Sequence, residues 1–308
     1  TDESGATTWY FDGRMALREA SADFGFKLEK ASGELRGGGR LDDKGVLTFD
    51  TQAFFDRAIV AGWHLDGLKC RIRTDDDGGI IRIENAVAQL YGGEAVGVAE
   101  IDLGESRSDY SASITARDLQ LERYVAVHHP GPPSAPSSAD EEAAQGDIYG
   151  NMILRGRTGS TGYLEGAGEI NIREARVWKL PIILAIFQVL NLTPDENVFH
   201  DGMLKIYLAR DRVVFNKIDL QGKAMSFIGG GSLDLNSDNL DLTLLAGSPV
   251  RINLPLLTEI IEGASREIME IQVRGTISDP KVVPHPLKSI GVALKTLFPE
   301  PPPTFRNR

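Results

Sequence analysis

A single cysteine, Cys70, leaves this chain with no disulfide of its own, so its fold rests on burial and hydrogen bonding. The lone thiol says little about redox compartment, because exported bacterial proteins often lack disulfides too, and it reads as a buried structural residue. Long apolar runs are missing as well: no segment reaches the ~18 residues that a membrane-spanning helix needs. Basic residues are the minority, 33 against 44 acidic ones, and the net charge of -11 without a basic stripe excludes nucleic acid as a partner. The chain opens at Thr1 with no basic, apolar leader, which reads as a mature product or an excised fragment.

The templates of catalysis are absent in turn. There is no G-x-S-x-G elbow for a nucleophilic serine, and Cys70 has no obvious histidine partner. The histidines at 64, 128, 129, 200 and 285 form no H-E-x-x-H or similar ligand spacing, and His200–Asp201 reads as a hydrogen-bonded turn. Asp234, Asn236 and Asp238 imitate the start of a calcium loop, but Leu245 stands where the bidentate Glu would be. The glycines at 37–39 and 229–231 lack the Lys-Ser/Thr and strand-to-helix context of a phosphate cradle, so they read as close-packing or bulge positions. The expectation is a protein that is not an enzyme and carries no metal and no cofactor.

What the chain has in quantity is alternation. Apolar residues make up 42% and charged residues 25%, enough to build a core. In FIGGGSLDLNSDNLDLTLLAG, residues 227–247, Leu233, Leu235, Leu240, Leu242 and Leu244 alternate with polar residues across an NSDN turn, which spells a hairpin with one apolar face. Similar strands run from Thr8 to about Leu121, bounded by glycine and aspartate turns; Gln52–Arg57 alone reads as a helical turn. The stretch at 128–146, HHPGPPSAPSSADEEAAQG, loses all periodicity and reads as a disordered surface loop.

Beyond that loop the strands resume, and three helices are expected. LPIILAIFQVLNL at 180–192 is apolar nearly all round. A second helix at 254–269 has Asn253 as its cap and Pro255 in its first turn, and a third spans 286–298. The organisation is therefore 1–127 as the first part of one antiparallel sheet, 128–146 as loop, 147–300 as sheet with helices, and 301–308 as disordered tail. Weak echoes link VAEIDLGESRSDYSASITARDL at 98–119 to GGSLDLNSDNLDLTLLAG at 230–247, without a fixed period.

GGSLDLNSDNLDLTLLAG, the helix LPLLTEIIEGASREIMEI and then IQVRGTISDPKVVPHPL resemble, in that order, the C-terminal region of AsmA-like proteins of Gram-negative-type bacteria. LYGGEAVGVAEIDL, DYSASITARDLQLERY and GAGEINIREARVWKLPIILAIFQVLNL extend the resemblance over roughly residues 80–290, with G-T-I-S-D-P-K at 275–281 its most specific piece. The resemblance implies a place among bridge-like lipid transfer proteins, with TamB-like and YhdP-like members. Such proteins have a long, strongly curved, taco-like antiparallel sheet whose apolar inner groove shields acyl chains. It implies a periplasmic location, anchoring in the inner membrane through an N-terminal segment outside this chain, and phospholipid transport to the outer membrane. The implied partners are phospholipid acyl chains and the inner membrane, outer membrane or envelope proteins.

On that implication the lining residues are Ile81, Ile83, Ile114, Leu204, Ile206, Leu208, Leu233, Leu235, Leu240, Leu242, Leu244 and Val273, with the three helices packed at or capping the groove. Taken from alternation alone, the same residues make an ordinary dry core. A non-catalytic structural module for outer-membrane assembly, working through sheet edges, is the alternative function.

Overall fold

The computed structural model describes residues 7–23, 27–104, 108–128, 145–157, 164–176, 181–190, 199–222, 225–247 and 268–286. Fifteen strands pair in strict sequence order into one open, mainly antiparallel sheet. They are β1 (Trp9–Asp23), β2 (Lys27–Leu41), β3 (Leu47–Val60), β4 (Trp63–Thr74), β5 (Ile80–Leu90), β6 (Gly93–Leu103), β7 (Ser108–Gln120), β8 (Gln145–Arg157), β9 (Leu164–Arg176), β10 (Phe199–Ala209), β11 (Arg212–Gly222), β12 (Ser226–Asp234), β13 (Asn239–Gly247), β14 (Met269–Thr276) and β15 (Pro280–Pro286). Two short helices are described, α1 (Leu121–His128) and α2 (Pro181–Leu190). The mainly β, antiparallel expectation is met. α2 falls inside the helix expected at 180–192, whereas those expected at 254–269 and 286–298 lie almost wholly outside the described residues, as do 129–144 of the expected loop and the 301–308 tail.

Turn chemistry explains why consecutive strands become hairpins. Ala61-Gly62 and Tyr91-Gly92 each hold two successive residues at positive φ, 50° and 84° in the first and 45° and 83° in the second. That pair of left-handed residues makes a type I′ turn, whose twist matches the strands it joins.

The chain divides into two compact units, Thr1–Leu119 with Asn151–Gly166, and Gln120–Gly150 with Ala167–Arg308. In unit 1 a row of bulges interrupts the strands. Glu19, Lys30 and Asn85 take positive φ values of 50°, 51° and 52°, joined by Gly67 at 62°, and the strand register shifts beside each of them. A bulge inserts one residue, so the apolar residues resume on the same face one step later. In β5 the face is carried by Ile81 and Ile83, and after the bulge by Ala86, Ala88 and Leu90.

The same slip corrects the reading of Gln52–Arg57, which lies within β3 and is not a helical turn. Ala53 and Phe55 are buried on one side of Asp56 and Ala58 on the other, a spacing that imitates helix because the strand changes phase there. α1 is the converse. Leu121, Tyr124 and Val125 lie at i, i+3 and i+4 and pack into the second unit's core, although the sequence reading counts residues up to 127 in the sheet.

A left-handed lysine costs about 1–2 kcal/mol, and glycine in a strand costs about 0.5–1 kcal/mol, so Lys30→Gly is expected to stabilise the protein by about 0.5–1 kcal/mol. The check is a denaturant midpoint shifted upward with the slope unchanged.

Candidate functional site

Residues opposite one another in an antiparallel pair share a face, so the register defines what each side of unit 1 displays. On one side β1 contributes Trp9, Phe11, Met15 and Leu17, opposite Leu41, Gly39, Leu35 and Gly33 of β2. Those β2 residues in turn face Leu47, Phe49, Ala53 and Phe55 of β3. The row continues through Leu68, Cys70 and Ile72 of β4, Ile81 and Ile83 of β5, Ala99 and Ile101 of β6, and Tyr110 and Ala112 of β7. None of these positions is charged.

The other side carries the charges. Glu34 is shared by Arg14 and Arg36. Asp50 pairs with Arg71, whose Nε donates over 2.8 Å, and Glu84 accepts from Nε and Nη2 of Arg73 at 2.9 and 2.7 Å. Arg82 Nε donates to Glu100 at 3.1 Å. The Arg71 guanidinium holds Asp50 below the usual carboxylate range, and Arg73 does the same for Glu84. A hollow of about 850 Å³ at this edge of the unit is lined by Arg40, Arg71 and Arg73 together with Asp12, Asp50, Asp75, Asp76 and Glu84, so acids outnumber bases around it.

Burial on the apolar face is uneven. Ala31, Ala53, Phe55 and Ala58 form a buried cluster, flanked by half-buried Leu17, Leu28, Leu35, Leu68 and Ile72, although no helix is described in this unit. Towards the other end of the strands the same face opens: Trp9 is 69% exposed and Met15, Leu41 and Leu47 are also exposed. Burial is the main cause that raises the Tyr110 hydroxyl, and the charge of Asp23 adds to it, so the far end of β1 lies within electrostatic reach of β7.

Cys70 sits within this face, and burial pushes its thiol up to about 11. It is expected to resist alkylation in native protein at pH 8 and to react once the chain is unfolded. Because the folded pKa lies above the thiol's ordinary value of 9.0, the folded state holds its proton longer than the unfolded one, and stability falls as pH rises from 9 towards 11.

In unit 2 one face runs through Leu204, Ile206 and Leu208 of β10, Val213, Phe215, Ile218 and Leu220 of β11, and Phe227 and Leu233 of β12. It continues through Leu240, Leu242, Leu244 and Ala246 of β13, Ile271 and Val273 of β14, and Val282 of β15. Gly229 and Gly231 lie opposite Leu244 and Leu242. A Cβ on either glycine would collide with a backbone carbonyl of β13 and with those leucine methyls, so the glycine run is space made for leucine. Most of this face is covered: Leu240, Leu242, Leu244, Ile271 and Val273 share one buried cluster with Ile183 and Ile186 of α2 and Leu121 of α1.

The twelve lining candidates therefore separate. Ile81, Ile83 and Ile114 belong to the apolar face of unit 1, the first two half-buried and Ile114 exposed. Leu204, Ile206, Leu208 and Leu233 are half-buried on the face of unit 2, and Leu240, Leu242, Leu244 and Val273 lie deep in its core. Leu235 lies past the end of β12 and is exposed. The open aromatic end of unit 1, Trp9, Phe11 and Met15, was missing from the candidates; its signal was the alternation of TWYFDGRMAL.

Among the described residues no three His, Cys, Asp or Glu side chains gather as metal ligands, and no helix is long and apolar enough to cross a membrane. The Asp234 carboxylate is committed to its turn, accepting from the Ser237 hydroxyl at 2.8 Å and from the Ser237 and Asn236 amides at 2.9 and 3.1 Å.

The fold class is an open antiparallel meander with one apolar face in each unit. Comparison with known proteins adds nothing to that class: no family model, no curated protein and no solved structure matches the chain.

Proposed function

We propose that this chain is a lipid-shielding module of the AsmA-like kind, in which the apolar face of unit 1 holds phospholipid acyl chains. The observation that carries this reading is a seven-strand face, β1 to β7, without a charged position, with no described helix over it and with large apolar side chains left exposed. A single-layer sheet that buries Ala31 and Ala53 completely while exposing Trp9 and Met15 is supported best as a curled trough, tight near the bulge row and open at the other end. The reach of Asp23 to Tyr110 supports the same curl.

Energetics set the requirement for such a trough. Moving a ~16-carbon chain out of a bilayer forfeits over ~10 kcal/mol at about 0.8 kcal/mol per methylene, so the receiving surface must be broad, apolar and free of charge. Unit 1 has the surface for this, whereas the equivalent face of unit 2 is largely filled by its own side chains, with α2 among them. The activity is transfer or shielding without a catalytic step. Its place is the periplasm, between an inner-membrane anchor outside this chain and the outer membrane.

Native mass spectrometry of the purified chain is expected to show co-purified phospholipid, and a photoreactive residue at Leu47 is expected to crosslink to it. Lipid extraction that yields none, together with no crosslink from Leu47, would overturn the proposal.

A further inference from the structure

The hollow on the charged side of unit 1 has a floor without a side chain. Gly38 lies opposite Asp12 of β1 and Asp50 of β3, and in the next row Arg40 lies opposite Tyr10 and Thr48. A Cβ at Gly38 would come within 3.1 Å of Asp12 Oδ2, so glycine leaves the carboxylate room to lean over the floor. Asp75 and Asp76, in the turn after β4, belong to the same lining.

The charges around this hollow divide into committed and uncommitted. Arg71 is bound to Asp50 and Arg73 to Glu84, and Asp75 Oδ1 accepts the Ile80 amide at 3.1 Å within its own turn. Arg40 has no ion pair among the described residues: its Nε donates to Thr48 Oγ1 at 3.1 Å and its Nη2 to the Asp76 carbonyl at 3.5 Å. A guanidinium has five N–H donors, so Arg40 retains capacity for a further acceptor. The carboxylates of Asp12 and Asp76 form no ion pair among the described residues either.

One uncommitted cation beside two uncommitted carboxylates complements a ligand that carries a phosphate and an amine a short distance apart. A plain anion would meet more acids than bases, and a plain cation would leave Arg40 without an acceptor. Position supplies the rest of the ligand. Arg40 and Thr48 are the chain neighbours of Leu41 and Leu47, exposed residues of the apolar face, and Phe11 and Phe49 of that face also border the hollow. A molecule with its chains on the apolar face has its polar end beside Arg40.

We propose that the hollow holds the phosphoethanolamine headgroup of a phospholipid, with the phosphate on Arg40 and the ammonium on the carboxylates of Asp12 and Asp76; this rests on the reading of the apolar face as an acyl-chain trough.

The full chain, incubated at low salt with mixed micelles of phosphatidylethanolamine and phosphatidylglycerol of matched acyl chains, is expected to retain the first about tenfold over the second, read by mass spectrometry. Asp76→Arg, at an exposed turn position, is expected to cancel that preference, Arg40→Glu to weaken retention of phosphatidylethanolamine, and high salt to shrink the discrimination. In NMR spectra, free O-phosphoethanolamine is expected to shift the Gly38 and Arg40 signals, with ethanolamine or glycerol phosphate alone doing far less. Lipid retained without headgroup preference, in wild type and variants alike, would overturn this inference and leave the trough standing. No retained lipid with O-phosphoethanolamine still shifting those signals would overturn the lipid as the ligand's source and the trough with it. Equal shifts from ethanolamine alone would overturn the role of Arg40.

Discussion

Leu242→Arg is expected to unfold unit 2, lowering stability by about 3–5 kcal/mol or more. Leu242 is 5% exposed and lies opposite Val273, which is fully buried, with Gly231 on its other side. Among the described residues of β10 to β15 no charged side chain stands on that face to pair with a guanidinium, and Asp241, the nearest acid in sequence, points to the opposite face and is linked to Arg274. A charge forced into such a site keeps its full desolvation penalty, and the side chain is too enclosed for its head to reach water. Chemical denaturation read by circular dichroism is the check; a variant with wild-type stability would mean that the face opens to solvent or to a ligand.

Leu47→Asp is expected to do the opposite, costing little stability while removing at least about nine-tenths of the co-purified phospholipid. Leu47 is 46% exposed on the apolar face of unit 1, so a carboxylate there remains hydrated in the empty protein. Once an acyl chain covers the position, the same carboxylate must be stripped of water with no partner, and each 1.4 kcal/mol of that penalty is a factor of about ten in affinity. Aspartate is the informative choice because lysine or arginine would bend away and keep its charge wet. Val98→Asp is the matched control: Val98 is similarly exposed, at 53%, but lies on the charged side of the sheet, and its variant should retain lipid. Equal loss of lipid in both variants would sink the assignment of faces.

Most of this fold is legible in the sequence because it is almost wholly local. Every strand pairs with its neighbour in the chain, so alternation and turn residues specify both the element and its partner. One misreading comes from a bulge, which shifts the phase of β3 and made Ala53, Phe55 and Ala58 look helical. α1 was readable from Leu121, Tyr124 and Val125 at helical spacing, but lay directly after an alternating run.

For the candidate site, parity was readable and coverage was not. Eight of the twelve residues, Leu204, Ile206, Leu208, Leu233, Leu240, Leu242, Leu244 and Val273, share one face of unit 2, as alternation requires. Which part of that face is filled depends on Ile183 and Ile186 of α2, remote in sequence from β13, and no local pattern encodes such a contact. The exposed end of unit 1 escaped for the complementary reason. Trp9, Phe11 and Met15 look like core until the structure shows that nothing described in their unit lies over them.

The strictly sequential order of the strands has a consequence for how a protein of this kind can change length. A hairpin inserted at any turn needs only to match the strands on either side, because no strand depends on a distant segment for its hydrogen bonds. Insertion of a pair keeps the chain direction, so everything downstream is displaced along the sheet and otherwise preserved. Insertion of a single strand would reverse the direction of all that follow and carry each turn to the opposite margin. Growth and shrinkage by twos is therefore the tolerated route, and the span that such a sheet covers is set by copy number, with no new fold required at any step.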